Sequence, residues 1–236
     1  SPLDSRGVPL LLEFALFAYL FAQPQSDSFQ VNTWCVKAFR ALSQRLGQDR
    51  IFTLGAGDRF HFDGVEYQVL WPRTEAYPFE AQLSEALEGL NVLFSSPFQP
   101  ACVQQFLRRK EEFLTLYVKC GQAFSVSGRA LPERRRAYLE HLDEVLKDLE
   151  ALREELNHTP EAHDAREILL NPLNAGAYTA GVNGASVVFH NARKSGPSEQ
   201  DILMTGDASP ETLLEIMDQL YDGYYILKAP HHGTAK

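Results

Sequence analysis

The apolar positions of this chain fall into several rhythms, and each predicts an element. From Val8 to Ala22 the sequence is apolar almost throughout, broken by Glu13. It is too short to span a bilayer, so it predicts a strand or helix buried in the core. Val31, Trp34, Cys35, Ala38, Phe39, Leu42 and Leu46 follow helical spacing, with Lys37, Arg40 and Arg45 off that face and Gly47 as the stop. That is an amphipathic helix expected to lie on one side of a sheet. Ile51–Leu54, Asp58–Phe62 and Val65–Leu70 read as strands, the last two joined by an Asp63-Gly64 hairpin turn. His61 sits in this hairpin and reads as a solvent-facing strand residue.

Between 73 and 172 the period changes to that of helices. Glu80–Leu90 and Cys102–Phe124 are two helical patterns with Pro97 and Pro100 in the loop between them, and Pro132 opens a third, longer one. Within it Tyr138, Leu142, Val145, Leu149, Leu152 and Leu156 alternate by four and three. That seam predicts an antiparallel helical hairpin with the Cys102–Phe124 helix. Arg134-Arg135-Arg136 falls in the first turn, where positive charge opposes the helix dipole. It reads either as a solvated face or as a phosphate-binding or acid-binding patch. His158 and His163-Asp164 are read as structural residues of a loop beside Pro160.

The small residues and glycines from Asn174 to Gly184 predict a tight loop, followed by a strand from Ser186 to His190 and a polar turn from Ala192 to Glu199. Asp201–Met204 is then a short apolar strand ending at Thr205-Gly206-Asp207. Ser209-Pro210-Glu211 supplies a cap, a proline at the first helical position and an acid in the first turn. The helix is expected to run to about Tyr221, with Asp222-Gly223 as its stop, and Tyr224–Leu227 to be a second buried strand leading to Pro230-His231-His232-Gly233. Strands joined by a crossover helix are parallel, so Asp207 and the His pair should meet at one edge of the sheet. A carboxylate and neutral imidazoles there suit zinc, manganese or iron. Asn183 and Ser186, at the preceding loop-to-strand junction, are candidates to line the same site.

Four of these segments carry a resemblance. TGD at 205–207, LKAPHHGT at 227–234, the Asn183-Gly184-Ala185-Ser186 junction and the Gly57–Pro72 hairpin together resemble the middle and late motifs of metallo-β-lactamase fold hydrolases. The group they are most similar to is the soluble domain of the competence protein ComEC and its relatives. The resemblance implies an α/β fold, a metallo-β-lactamase-like αββα sandwich, with residues 1–72 as its first part, 73–172 as an inserted helical hairpin and 173–236 as the metal-motif part. It implies two divalent metal ions, zinc or alternatively manganese. Asp207 would bridge them and His232 would bind one, with His231 as neighbour or substitute. Lys228, Arg134 or the loop at Asn183 would neutralise a phosphate, and Ser186 would line the substrate side. The family's H-x-H-x-D-H signature has no counterpart here, because no two histidines of this chain have that spacing with an Asp-His. The chain is therefore expected to be the middle and late part of a larger protein. The remaining ligands would come from an amino-terminal segment or a second chain.

The totals refine this picture. The 236 residues, 44% hydrophobic and 22% charged, are those of a globular protein able to bury one substantial core or two small ones. A net charge of −9 argues against a generally basic, nucleic-acid-coating surface, but not against a nuclease whose cations sit in the site. Cys35, Cys102 and Cys120 form no C-x-x-C, which favours a reducing cytoplasm over a disulfide framework.

Two functions follow. One is a metal-dependent hydrolase, a phosphodiesterase or nuclease with DNA as the leading substrate. The other is a catalytically inactive binding or regulatory protein that docks a partner, or a second copy, through the helical insertion. By analogy that partner is a membrane component or an activating protease of a bacterial antiviral system. On the first reading this chain alone binds divalent metal weakly and cleaves no DNA, because one Asp and one His do not complete a four-ligand site. Metal titration and a nuclease assay on the isolated chain, after chelation and metal replacement, check this; robust cleavage overturns it.

Overall fold

The apolar seams of the middle block build most of the molecule. The computed structural model describes residues 7–22, 45, 54–72, 79–124, 132–193 and 201–230. Six helices form its larger part: α1 (Gly7–Phe21), α2 (Glu80–Leu93), α3 (Ala101–Phe124), α4 (Pro132–Asn157), α5 (Glu161–Leu170) and α6 (Pro172–Gly184). In α4 Leu142, Val145, Leu149, Leu152 and Leu156 are buried, as the four-three alternation requires. In α3 the facing residues are Val103, Phe106, Lys110, Phe113, Leu116 and Cys120, also buried. α3 and α4 are thus the two arms of the hairpin.

The apolar 8–22 segment is helical and is the centre of this body. Phe14, Ala15, Leu16, Phe17, Leu20 and Phe21 have essentially no exposed surface, so α1 is apolar on every side because it is covered on every side. Phe17 and Phe21 pack with Phe94 and Phe106 at ring separations of 5.2 to 6.1 Å. Among the described residues no helix is long and apolar enough to cross a membrane. The interruption of the apolar run, Glu13, is bonded to the Lys110 ammonium, which also donates to Asn91 Oδ1 at 2.7 Å and lies 5.2 Å from the Phe17 ring centre. Lys110 thereby ties α3 to both α1 and α2.

The stretch 174–184 expected as a tight loop is instead helix α6. Asn171 accepts the Leu173 N–H and Pro172 takes the first turn, a complete start signal. The small residues make contact rather than turns. A Cβ on Gly181 would meet Leu11 Cδ2 at 2.5 Å and the Phe79 ring at 2.8 Å, and Tyr178 stacks on Phe14 at 5.3 Å. The helical core therefore extends past 73–172 at both ends, taking in α1 and Tyr178. His163 and Asp164 lie in the first turns of α5, not in a loop. Asp164 suits the positive end of that helix. Arg135, one of the three arginines, is buried; its Nε donates to Ala123 O near the carboxyl end of α3 at 2.9 Å, so it caps the neighbouring helix.

A five-stranded mixed sheet makes the second part, in the order β1 (Arg59–Phe62), β2 (Val65–Trp71), β3 (Val188–Asn191), β4 (Ile202–Met204), β5 (Ile226–Lys228). The first four strands are antiparallel neighbours; β4 and β5 are parallel. Asp63 (φ 50°) and Gly64 (φ 76°) both have positive φ, which is what a two-residue hairpin needs. One face packs Leu70, Trp71, Val188 and Leu203 under Ile216, Leu213 and Leu220. Those three come from the connection between β4 and β5. This is the short helix α7 (Pro210–Glu215), capped by Ser209, followed by a tighter turn at Met217–Gln219. The helix thus ends well before Tyr221, because the tighter winding follows directly after Ile216. The Trp71 indole N–H donates to Gly184 O and joins sheet to helical body.

One further expectation meets a different outcome. β5 is an exposed edge strand, not a buried one: Tyr225, Ile226 and Leu227 are 73, 45 and 60% exposed. The amphipathic 31–46 pattern apart from Arg45, the 51–54 strand apart from Leu54, and His231 and His232 lie outside the described residues.

Lys110→Ala leaves Glu13 largely buried without its ammonium, and is expected to cost about 3–5 kcal/mol. The double variant Glu13→Leu/Lys110→Met is expected to recover most of that loss. Urea denaturation of the two variants checks both.

Candidate functional site

The site begins with the parallel register of β4 and β5, which sets Met204 beside Lys228 and places both carboxyl ends on one edge. The chain leaves β4 through Thr205-Gly206-Asp207. Thr205 is buried, and its Oγ1 donates to Lys228 O at 2.6 Å, locking the end of β4 to the end of β5. The Lys228 ammonium returns the contact, donating to Gly206 O at 2.7 Å and lying 3.8 Å from Asp207 Oδ1. Ser186 joins from the chain entering β3: its Oγ accepts the Asp207 N–H at 3.1 Å.

Gly206 is required here for two reasons. Its φ is +57°, and an added Cβ would stand 2.9 Å from Ser186 Cβ. Glycine lets the backbone turn here without strain or clash while the Asp207 N–H stays on Ser186. The Asp207 and Lys228 side chains are about half exposed, at 45% and 40%. An ion pair at that exposure and distance contributes little to stability.

The structure therefore brings Ser186, Asp207 and Lys228 together. Asn183 is adjacent but in a different setting: it closes α6 instead of lying in a loop, and its carbonyl accepts the Ser186 N–H at 3.0 Å. Arg134 belongs to the first turn of α4, its guanidinium 5.8 Å from the Tyr138 ring centre. His231 and His232, three and four residues beyond Lys228, lie outside the described residues. A half-exposed carboxylate anchored through its own backbone suits a metal ion in kind, but it is one donor of the four that zinc takes.

One cluster of His, Asp and Glu among the described residues has metal-like spacing. His163, Asp164 and Glu167 bring ligand atoms within 4.8 Å of one another. All three are exposed on one helix, with His163 Nε2 at 3.5 Å from Glu167 Oε1, the ordinary i,i+4 pairing of a solvated face.

The sequence reading missed a polar cluster at the opposite end of the same strands. Asp201, 1% exposed, accepts from Arg193 Nε at 2.7 Å and from Asn191 Nδ2 at 3.0 Å, and lies 2.6 Å from Arg193 Nη2. Its carbonyl accepts the N–H groups of Tyr225 and Ile226 at 2.8 and 3.1 Å. The Arg193 guanidinium lies 3.7 Å from the Tyr221 ring centre, and buried His190 stacks on the same ring at 4.3 Å. Burial pushes the His190 pKa below the usual histidine value and Arg193 pushes it the same way, with Asp201 opposing. Hydrogen bonding to Asp201 raises the Arg193 pKa. The available signal was His190-Asn191 inside an otherwise apolar strand, since polar side chains inward in a sheet need partners.

No family model, no curated protein and no solved structure matches this chain.

Gly206→Ala is expected to lower stability by about 1–3 kcal/mol from left-handed backbone strain together with the clash at Ser186. Thermal denaturation beside Gly176→Ala, at a helix position with open space around it, checks the effect.

Proposed function

We propose that this chain carries part of the active site of a metal-dependent phosphodiesterase with a metallo-β-lactamase-like fold, acting on DNA. The observation that supports the reading is the meeting of Ser186, Thr205-Gly206-Asp207 and Lys228 at the carboxyl ends of two adjacent parallel strands. Ligands in open α/β sheets collect at such strand ends. Asp207, His231 and His232 would hold two divalent ions, zinc or manganese, with the remaining ligands supplied from an amino-terminal segment or a partner chain. Bound there, such ions would supply Lewis-acid activation of a water, lowering its pKa to about 7, for hydrolysis of a phosphodiester.

The chain's own residues have definable tasks in this scheme. Ser186 holds the Asp207 backbone, so the carboxylate is presented at a fixed angle. Thr205 fixes the spacing between the ends of β4 and β5, and hence between Asp207 and the residues that follow Lys228. The Lys228 ammonium, tied to Gly206 O, is a positive group beside the carboxylate that would receive a phosphate oxygen.

One observation favours a second reading. An ammonium already lies 3.8 Å from the Asp207 carboxylate, where a cation is called for. In an inactive relative of such an enzyme, Lys228 would replace the metal and the helical body would serve as a docking module for another protein.

Metal analysis of the full-length protein separates the two. The hydrolase reading expects about two divalent ions per molecule. Asp207→Ala then loses metal and lowers DNA cleavage at least about a hundredfold, in the range seen when an essential charge-stabilising group is removed. Lys228→Ala raises KM for DNA while metal content stays unchanged. A metal-free full-length protein, or cleavage undiminished in Asp207→Ala, overturns it.

A further inference from the structure

The strand that carries Lys228 is held at its other end by a hydrogen bond whose direction depends on one proton. We propose that His190 is a proton-operated latch on strand β5: neutral, it fixes the Tyr221–Tyr225 turn that starts the strand, and protonated, it releases that turn. This concerns how β5 is held and stands whether or not the site hydrolyses phosphodiesters.

The argument starts from the Tyr224 hydroxyl. It accepts the Tyr221 N–H at 2.9 Å and lies 3.0 Å from His190 Nδ1. The latch takes the tautomer in which the hydroxyl donates to an unprotonated Nδ1. A proton on Nδ1 ends that bond: the hydroxyl must turn its own hydrogen away and accept from two N–H groups at once. His190 is 2% exposed, so water does not restore the lost bond. The surroundings add to the cost. On the segment after β3, Arg193 contributes a guanidinium that lies against the same Tyr221 ring. Asp201, before β4, is the opposing charge, and it is already engaged by Arg193 and Asn191. The turn carries Tyr221, Asp222, Tyr224 and Tyr225 as titratable groups, of which Tyr221 and Tyr224 lie against His190. Opposite His190 stand Gln68 on β2 and Leu203 on β4, and the nearby Glu66 on β2 is paired with Arg59 at 3.1 Å. The connection above the strand contributes Leu213, Ile216 and Leu220, which are apolar.

The turn passes directly into β5. Tyr225 and Ile226 donate to Asp201 O, Arg193 Nη2 donates to Gly223 O at 3.3 Å, and the Arg193 N–H donates to Tyr221 Oη at 3.1 Å. β5 is three residues long and exposed on both faces, so little apolar burial holds it once the turn loosens.

The sign follows from linkage. Burial lowers the pKa of His190 in the closed form. The open form takes a proton at the ordinary value of about 6.5. Closure is therefore fully favoured above that value and is lost as the pH falls through it, because the open form binds a proton that the closed form refuses.

The experiment is amide hydrogen exchange by NMR at Tyr225 and Ile226, corrected for intrinsic exchange, with the His190 ring followed in the same titration. Between about pH 7.5 and 5.5 the opening equilibrium at these amides is expected to rise by up to about tenfold, while amides of the α3–α4 hairpin do not change. In His190→Gln, whose side-chain oxygen still accepts from Tyr224, the response is expected to be flat. Tyr224→Phe, which cuts the link without touching the histidine, should also be flat. An unchanged response in His190→Gln overturns the latch. So does a wild-type protein in which the opening equilibrium at the two amides does not rise as the pH falls from about 7.5 to about 5.5. Should a variant fail to fold, the wild-type comparison of these two amides with those of the α3–α4 hairpin decides alone.

Discussion

The candidate site depends on the position of β5, and β5 depends on Asp201. That residue is used at both ends. Its carboxylate is bound by Arg193 and Asn191 below the sheet edge, and its carbonyl collects the first two N–H groups of the incoming strand. Asn191 closes the loop by accepting the Ile202 N–H at 2.7 Å. A carboxylate with almost no exposed surface is costly to bury unless its oxygens are satisfied by charged and neutral donors together. Here they are, and the arrangement aligns β5 beside β4 without help from a hydrophobic face. Everything at the far end of those strands, from Thr205 to Lys228, takes its spacing from this anchor.

The two parts of the molecule are stabilised differently. The helical body is held by area: aromatic rings of α1, α2 and α3 packed at 5 to 6 Å, and leucine seams on α4. The sheet is small, and its closely packed group is Leu70, Trp71, Val188, Leu203, Ala208 and Ile216. Its other face carries Phe60, Tyr67 and Phe189 as a three-ring cluster at 5.1 to 5.6 Å. Directional bonds therefore do in the sheet what burial does in the helices. The chemistry-bearing residues sit on the part whose geometry is set by hydrogen bonds.

How much could be read in advance follows the same division. The Asp63-Gly64 hairpin, the four-three seam of α4, the Ser209-Pro210 helix start and the parallel pairing of β4 and β5 were legible, because each is written in neighbouring residues. Ser186, Asp207 and Lys228 came together for the same reason: strand order and a short crossover suffice to bring them to one edge. Helix α6 was not legible as a helix. Its glycines disfavour a helix intrinsically, and the reason for Gly181 is Leu11 and Phe79, distant in sequence. The exposure of β5 was hidden because an apolar triplet reads alike at an edge and in a centre. The His190–Tyr221–Arg193 stack was hidden because its members come from two segments far apart in sequence, and no local pattern marks which tyrosine an arginine will cover.

Lys110 has one more consequence. It occupies a place in the buried α3 seam otherwise taken by apolar residues, and it points to Glu13 on α1 and Asn91 on α2. An apolar seam alone tolerates a shift by one heptad, since one leucine layer resembles the next. A single cation that must reach one particular carboxylate does not. The α3 arm is thereby pinned along its length against α1, like a keyed shaft. It can swing or carry load together with α1 but cannot ratchet past it, so any message that crosses this contact must travel as rigid displacement and not as sliding.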